Sequence, residues 1–203
     1  MDDNTPRKSG PKPPRPVQAV RRRDRERDDA WIRAFLHEAH FGFLATVDDR
    51  QPFLNSNLFL YREEEHAIYF HTARTGRTPA NVARGGRCCF SAASMGRFLP
   101  APEALEFSVE YRAVVVFGTI APVADPEARR RALEGIMAKY APHLAPERDY
   151  RPITDQEVRR TAVHEMDIDA WSGKEKAADP DFPGAYRLPR QEPAPGRPIH
   201  IEP

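Results

Sequence analysis

The chain has 203 residues, 40% of them hydrophobic and 30% charged, with a formal net charge of +1. That length suits one ordinary domain with tails, and the near-neutral balance argues against a nucleic-acid binder that is basic throughout. The two cysteines, Cys88 and Cys89, are adjacent, which excludes a disulfide framework and any zinc-ligand spacing. No run is apolar enough to span a bilayer and no signal peptide is evident, so no membrane partner is expected and the expected location is cytoplasmic.

Twelve of the 21 prolines fall in residues 1–28 and 174–203. Neither end has an apolar period, so 1–28 reads as a disordered, basic, Pro-rich arm and 174–203 as a Pro-rich tail. The arm holds nine Arg or Lys against five Asp or Glu. Its Arg21–Arg27 run is of a kind that touches nucleic acid or acidic membrane. Asp24, Glu26 and Asp28 interrupt that run and no aromatic residue interleaves, so a solvated arm is the favoured reading and nucleic acid is not an expected partner. Residues 29–173 remain as one domain with enough chain for a proper core.

Asp28 or Asp29 is placed to cap a first helix, with Trp31, Ile32, Phe35 and Leu36 on one face. Strands follow at Phe43–Val47, Pro52–Tyr61 and Ala67–Thr72, joined by short polar turns and hence antiparallel. Thr78 occupies an N-cap position and Pro79 the first residue of a short helix over 79–84, which Gly85 and Gly86 stop. Next come a strand at Arg87–Ala93, a long loop at Ser94–Glu106 and a strand at Phe107–Ile120. The unbroken apolar run Ala113–Phe117 predicts burial on both faces. Asp125 caps a helix carrying Leu133, Ile136, Met137 and Tyr140, and one helical turn is expected near Asp155. The alternation of Thr161–Ala170 gives the last strand. Six mainly antiparallel strands with flanking helices make an α+β fold built on a small closed barrel.

The segment His66–Val82 sets a strand, a basic loop and a helix start side by side. Arg74, Arg77 and the first-turn N–H groups of that helix are suited to holding a phosphate. The bland alternative is a capped surface helix with two solvated arginines. His71 ends its strand against the basic loop and is a candidate ligand contact. His164 reads as a hydrogen-bonded core histidine. Trp171 to Lys174, directly after the last strand, places an aromatic ring, a flexible glycine and a cation where they could cover a planar ring. No metal site, Ser-His-Asp elbow, Walker loop or GxGxxG is present.

Read in order, FGFLATVDDRQPFLNSNLFLY, HAIYFHTARTGRTPANV, YRAVVVFGTI and AVHEMDIDAWSGKEKA resemble the pyridoxamine 5'-phosphate oxidase-like flavin proteins. The likeness covers roughly Trp31 to Ala177 and is nearest the nitroimidazole-resistance branch. H-T-A-x-x-G-R and W-S-G-K are its more specific parts. The resemblance implies a split β-barrel homodimer with FMN at the subunit interface, acting as an oxidoreductase on a small-molecule substrate. It implies cofactor contacts at Asn55, Asn57, His71, Thr72, Arg77, Thr78, Asn81, Trp171 and Lys174, to which the loop reading adds Arg74. His71 is the best candidate for a part in the chemistry, and the start of the 174–203 tail is expected to cover the flavin. Thr78 stands where many relatives carry Lys, and Ser-Gly-Lys-Glu-Lys follows Trp171 in place of an R-x-H pattern, so vitamin B6 oxidation is not the first expectation. The alternatives are a non-catalytic flavin- or haem-binding protein for storage or sensing, and a DNA-associated factor using the basic arm.

Overall fold

In the computed structural model, which describes residues 17–189, Asp28 is the residue that caps the first helix. Its carboxylate accepts from the Trp31 backbone N–H at 2.9 Å. The elements are β1 (Glu26–Arg27), α1 (Asp29–Glu38), β2 (Gly42–Asp48), β3 (Gln51–Asn57), β4 (Leu60–Arg62), β5 (Ala67–Ala73), α2 (Arg77–Ala83), β6 (Arg87–Leu99), β7 (Ser108–Pro122), α3 (Pro126–Tyr140), α4 (Asp155–Arg160) and β8 (Thr161–Lys176). All eight strands lie in one antiparallel sheet of order β3-β2-β6-β7-β8-β5-β4, with β1 added to β8. The fold is α+β, as expected.

The predicted strand Pro52–Tyr61 does not exist as one element. It breaks at Leu58–Phe59, and its halves become β3 and β4, the two opposite ends of the sheet path. The barrel is therefore split, as the family resemblance implies, and the break falls inside what the residues alone read as one strand. The Tyr140 hydroxyl compensates the break: it accepts from the Phe59 N–H at 3.0 Å and donates to the Phe59 carbonyl at 3.1 Å. Both backbone groups that a ladder would have satisfied are thus met by one side chain. The Phe59 ring, fully buried, packs on Phe90, which in turn meets Phe70. These rings, with Leu44, Val114, Val116 and Met166, fill the barrel. A smaller cluster of Ala67, Tyr69 and Val163 lies under Ala132 of α3.

Three other expectations change. First, β6 continues through Ser94 to Leu99, pairing with β7 across an irregularity between Met95 and Phe98. Much of the predicted loop is therefore strand, because an available partner overrides weak local propensity. Second, Val114 and Val116 are buried while Ala113, Val115 and Phe117 are only half-buried, so the second face of that apolar run is partly open in a single chain. Third, β8 runs to Lys176. Trp171 to Lys174 is strand interior, paired with Val116 to Ala113 of β7, not a lid. Opposite Phe117–Gly118 the β7–β8 register shifts by one residue. Gly118 fits this bulge because a Cβ there would lie 1.8 Å from the Asp167 carbonyl oxygen.

Both expected domain boundaries also move. Val20 is buried and Glu26–Arg27 pairs with Gly173–Lys174, so residues 17–28 belong to the fold; the rest of the predicted arm lies outside the described residues. At the other end, Arg97 holds Glu110 in a fork at 2.8 and 3.0 Å and donates to the carbonyls of Asp179 and Pro180. Tyr186 pairs with Phe98. The segment after β8 is thereby fixed along the β6–β7 hairpin, away from α2.

Candidate functional site

Alternation along the edge strand β3 puts Phe53, Asn55 and Asn57 on one side. The loop after β5 brings α2 to that side. Gly76 makes the turn possible with φ at +123°, and it, not Thr78, is the N-cap residue of α2. The helix starts two residues earlier than the Thr-Pro signal suggests. Thr78 therefore lies within its first turn, 6% exposed, and makes no capping bond.

What Thr78 does is close a polar network. Its hydroxyl oxygen accepts from Asn55 Nδ2 at 3.1 Å, the same nitrogen lies 3.3 Å from Asn57 Oδ1, and Asn57 Nδ2 donates to the Asn55 carbonyl at 3.1 Å. The Thr78 hydroxyl keeps its own proton to give. Beside it, the exposed Arg77 guanidinium lies 5.0 Å over the Phe53 ring. Among the described residues it has no carboxylate partner within salt-bridge range. A cation stacked on a ring, an unspent hydroxyl proton and two locked amides at a sheet edge form a donor-rich surface suited to an anionic group.

The remaining predicted residues separate from this group. Arg74 turns away and donates to the Arg159 carbonyl at the end of α4. Asn81 points inward: its Nδ2 donates to the Thr46 hydroxyl at 2.9 Å, and its buried Oδ1 has no partner. Trp171 packs edge-on against His66 and Tyr61 and donates its indole N–H to Asp29 at 2.8 Å, which anchors α1 to β8. Lys174 is exposed opposite Glu26 of β1.

His71 and Thr72 face opposite sides of β5. By alternation His71 follows Ala67 and Tyr69 onto the α3 side, with Nδ1 buried and unpartnered and its pKa lowered by burial. Thr72 meets His164 at 2.9 Å. The Thr72 hydroxyl also lies 2.9 Å from the Ala73 carbonyl. If its one proton goes there, His164 Nε2 is the donor and Nδ1 is left as a bare acceptor. His164 is 2% exposed, its Nδ1 has no partner, and burial lowers its pKa, favouring the neutral ring. The sequence reading put His164 in the core without the link to Thr72. It also passed over Phe53, which the period-two spacing to Asn55 and Asn57 could have revealed.

Fold and site together define a split-barrel protein with an anion-receptive edge, and its family follows from the sequence. The chain belongs to the pyridoxamine 5'-phosphate oxidase family, whose profile matches residues 28–175. Among solved structures it is similar to the flavocytochrome Anf3 from Azotobacter vinelandii, at 21% identity over 91% of each chain with a TM-score of 0.69. It is likewise similar to the FAD and haem binding protein from Mycobacterium smegmatis, at 21% identity over 86% of this chain and 89% of that one, TM-score 0.69. A proposed 5-nitroimidazole antibiotic resistance protein from Bacteroides thetaiotaomicron shares 21% identity over 73% and 84%, TM-score 0.60. No curated protein matches the sequence. Among the described residues no helix is long and apolar enough to cross a membrane.

Proposed function

We propose that the protein is an FMN-binding homodimer and acts as an oxidoreductase on a small molecule. The observation that carries this reading is the Asn55–Thr78 network beside the exposed Arg77 guanidinium, in a chain of this family. One guanidinium fork and one hydroxyl proton match a terminal phosphate monoester, which favours FMN over FAD. Arg77 would hold the phosphate, Thr78 would donate to it, and Asn55 and Asn57 would fix the Thr78 rotamer. Bound there, a flavin supplies hydride and electron transfer.

The homodimer rests on the outer face of the sheet. Cross-strand pairing gathers Phe43, Val47 and Leu54 there, 41%, 54% and 61% exposed, with half-buried Val115 and Phe117 on β7 beyond β6. A largely apolar sheet face of this kind, with Ser56 and Ser91 set among the apolar side chains, suits a second copy across a two-fold axis. Haem is the second reading, since two structural relatives are a flavocytochrome and an FAD and haem binding protein. The visible spectrum of the purified protein tests both readings. Flavin bands, with FMN as the released cofactor, are expected; a Soret band alone would replace flavin by haem, and released FAD would refute the phosphate assignment.

A further inference from the structure

Lys139, near the end of α3, reaches the last turn of α1. Its Nζ donates to the Leu36 carbonyl at 3.1 Å and lies 3.7 Å from the Phe59 ring centroid. These contacts hold the nitrogen at the wall of a groove of about 630 Å³, lined also by Phe35, His37, His40, Phe41 and Arg112. A second groove of about 530 Å³ reaches Lys139 from the side of Leu60 and Tyr61. The amine is therefore half-buried yet approached by open space from two directions. None of Asn55, Thr78 and Arg77 lines either groove.

Arg112 and Glu38 both line the first groove, and Arg112 provides its guanidinium charge. Its guanidinium lies 5.1 Å over the Phe35 ring and one nitrogen donates to Glu38 at 2.6 Å. The rest of the fork remains available to a second acceptor. The Leu36 carbonyl and the Phe59 ring favour the ammonium form of Lys139. Burial outweighs them and brings its pKa down to about 8. A desolvated amine of this kind is the usual starting point for carbonyl chemistry.

We propose that this groove is a carbonyl-trapping site for a small aldehyde that bears a carboxylate, with Arg112 holding the carboxylate and Lys139 forming an imine with the carbonyl carbon. The neutral amine attacks that carbon, the C–N bond forms, and the carbonyl oxygen takes up a proton. The carbinolamine then loses its hydroxyl as water while the nitrogen lone pair closes the C=N bond. Electrons and atoms balance with no oxidant or reductant. The proton shed by the nitrogen and the proton that leaves with the hydroxyl are exchanged with solvent water in the open groove.

The probe is glyoxylate with cyanoborohydride, applied to the full-length protein slightly above neutral pH and read by peptide mass mapping. The readout does not depend on bound flavin. Each unit of lowered pKa raises the neutral fraction roughly tenfold, so Lys139 is expected to be labelled at least about tenfold faster than exposed Lys174. Arg112→Gln should slow labelling of Lys139 by glyoxylate and leave labelling by acetaldehyde unchanged, a comparison made within one folded variant. Lys139→Arg should lose the label on that peptide while labelling of Lys174 stays unchanged. Labelling of Lys139 no faster than Lys174, or equal slowing of both aldehydes by Arg112→Gln, would overturn the proposal.

Discussion

Replacing Arg77 by Ala separates the two arginines that the sequence placed together on the phosphate loop. Arg77 is exposed and its main intramolecular contact is the stack on Phe53 at 5.0 Å. An exposed cation–π contact is worth about 0.5–1 kcal/mol, so the apo-protein should lose no more than that. A charge-assisted bond to phosphate is worth about 1.5–3 kcal/mol, which weakens FMN by roughly 10- to 150-fold in Kd. Riboflavin, which has no phosphate, should bind both proteins alike. Arg74 donates to the Arg159 carbonyl. Arg74→Ala is therefore expected to leave FMN affinity within about threefold, a difference under 1 kcal/mol. Quenching of flavin fluorescence on titration, at low and at high salt, measures all four combinations. The Arg77 effect should shrink as salt rises, because the interacting charges sit at the surface. Equal losses for Arg74→Ala and Arg77→Ala, or equal losses of FMN and riboflavin, would refute the placement of the phosphate beside Arg77.

Tyr140→Phe removes the hydroxyl that satisfies both backbone groups of Phe59 and should cost about 1–3 kcal/mol in urea unfolding. Gly118→Ala drives a Cβ against the Asp167 carbonyl and should destabilise by about 1–3 kcal/mol or more, seen as a lowered Tm. Thr78→Lys restores the relatives' cation at a site only 6% exposed, so the apo-protein should lose about 1–3 kcal/mol whatever the flavin affinity does. His71 and His164 have pKa values pushed below 6.5 by burial. The unfolded chain then binds protons that the folded chain refuses, so stability falls as pH drops below 6.5. The slope is up to about 1.4 kcal/mol per pH unit for each histidine, and His164→Gln should remove one such contribution in urea melts at pH 5 and 7.

Periodicity and end signals in the sequence determined most of the elements. Asp28 and Asp125 mark helix starts through their side-chain oxygens, Thr154 and Glu157 close a capping box on the expected turn near Asp155, and Ile32, Phe35 and Leu36 bury the face their spacing predicts. The joining of Asn55, Arg77 and Thr78 into one neighbourhood was also legible, through the family resemblance, although Thr78 itself departs from the relatives' pattern. Tertiary structure alone decided the rest, since it depends on partners far away in the chain. Pro52–Tyr61 is continuous in β propensity, and the place of the break shows only where the Tyr140 hydroxyl, 81 residues from Phe59, meets the backbone that the ladder leaves. Ser94–Leu99 becomes strand because β7 lies alongside it. Trp171 looked like a free lid because nothing local shows that β7 and α1 enclose it. Thr78 looked like a cap because Thr-Pro is a local signal, while its burial and its bond to Asn55 follow from where the edge strand β3 lies. Local rules act over a few residues, whereas strand pairing and side-chain networks are fixed by which surfaces the whole chain brings together.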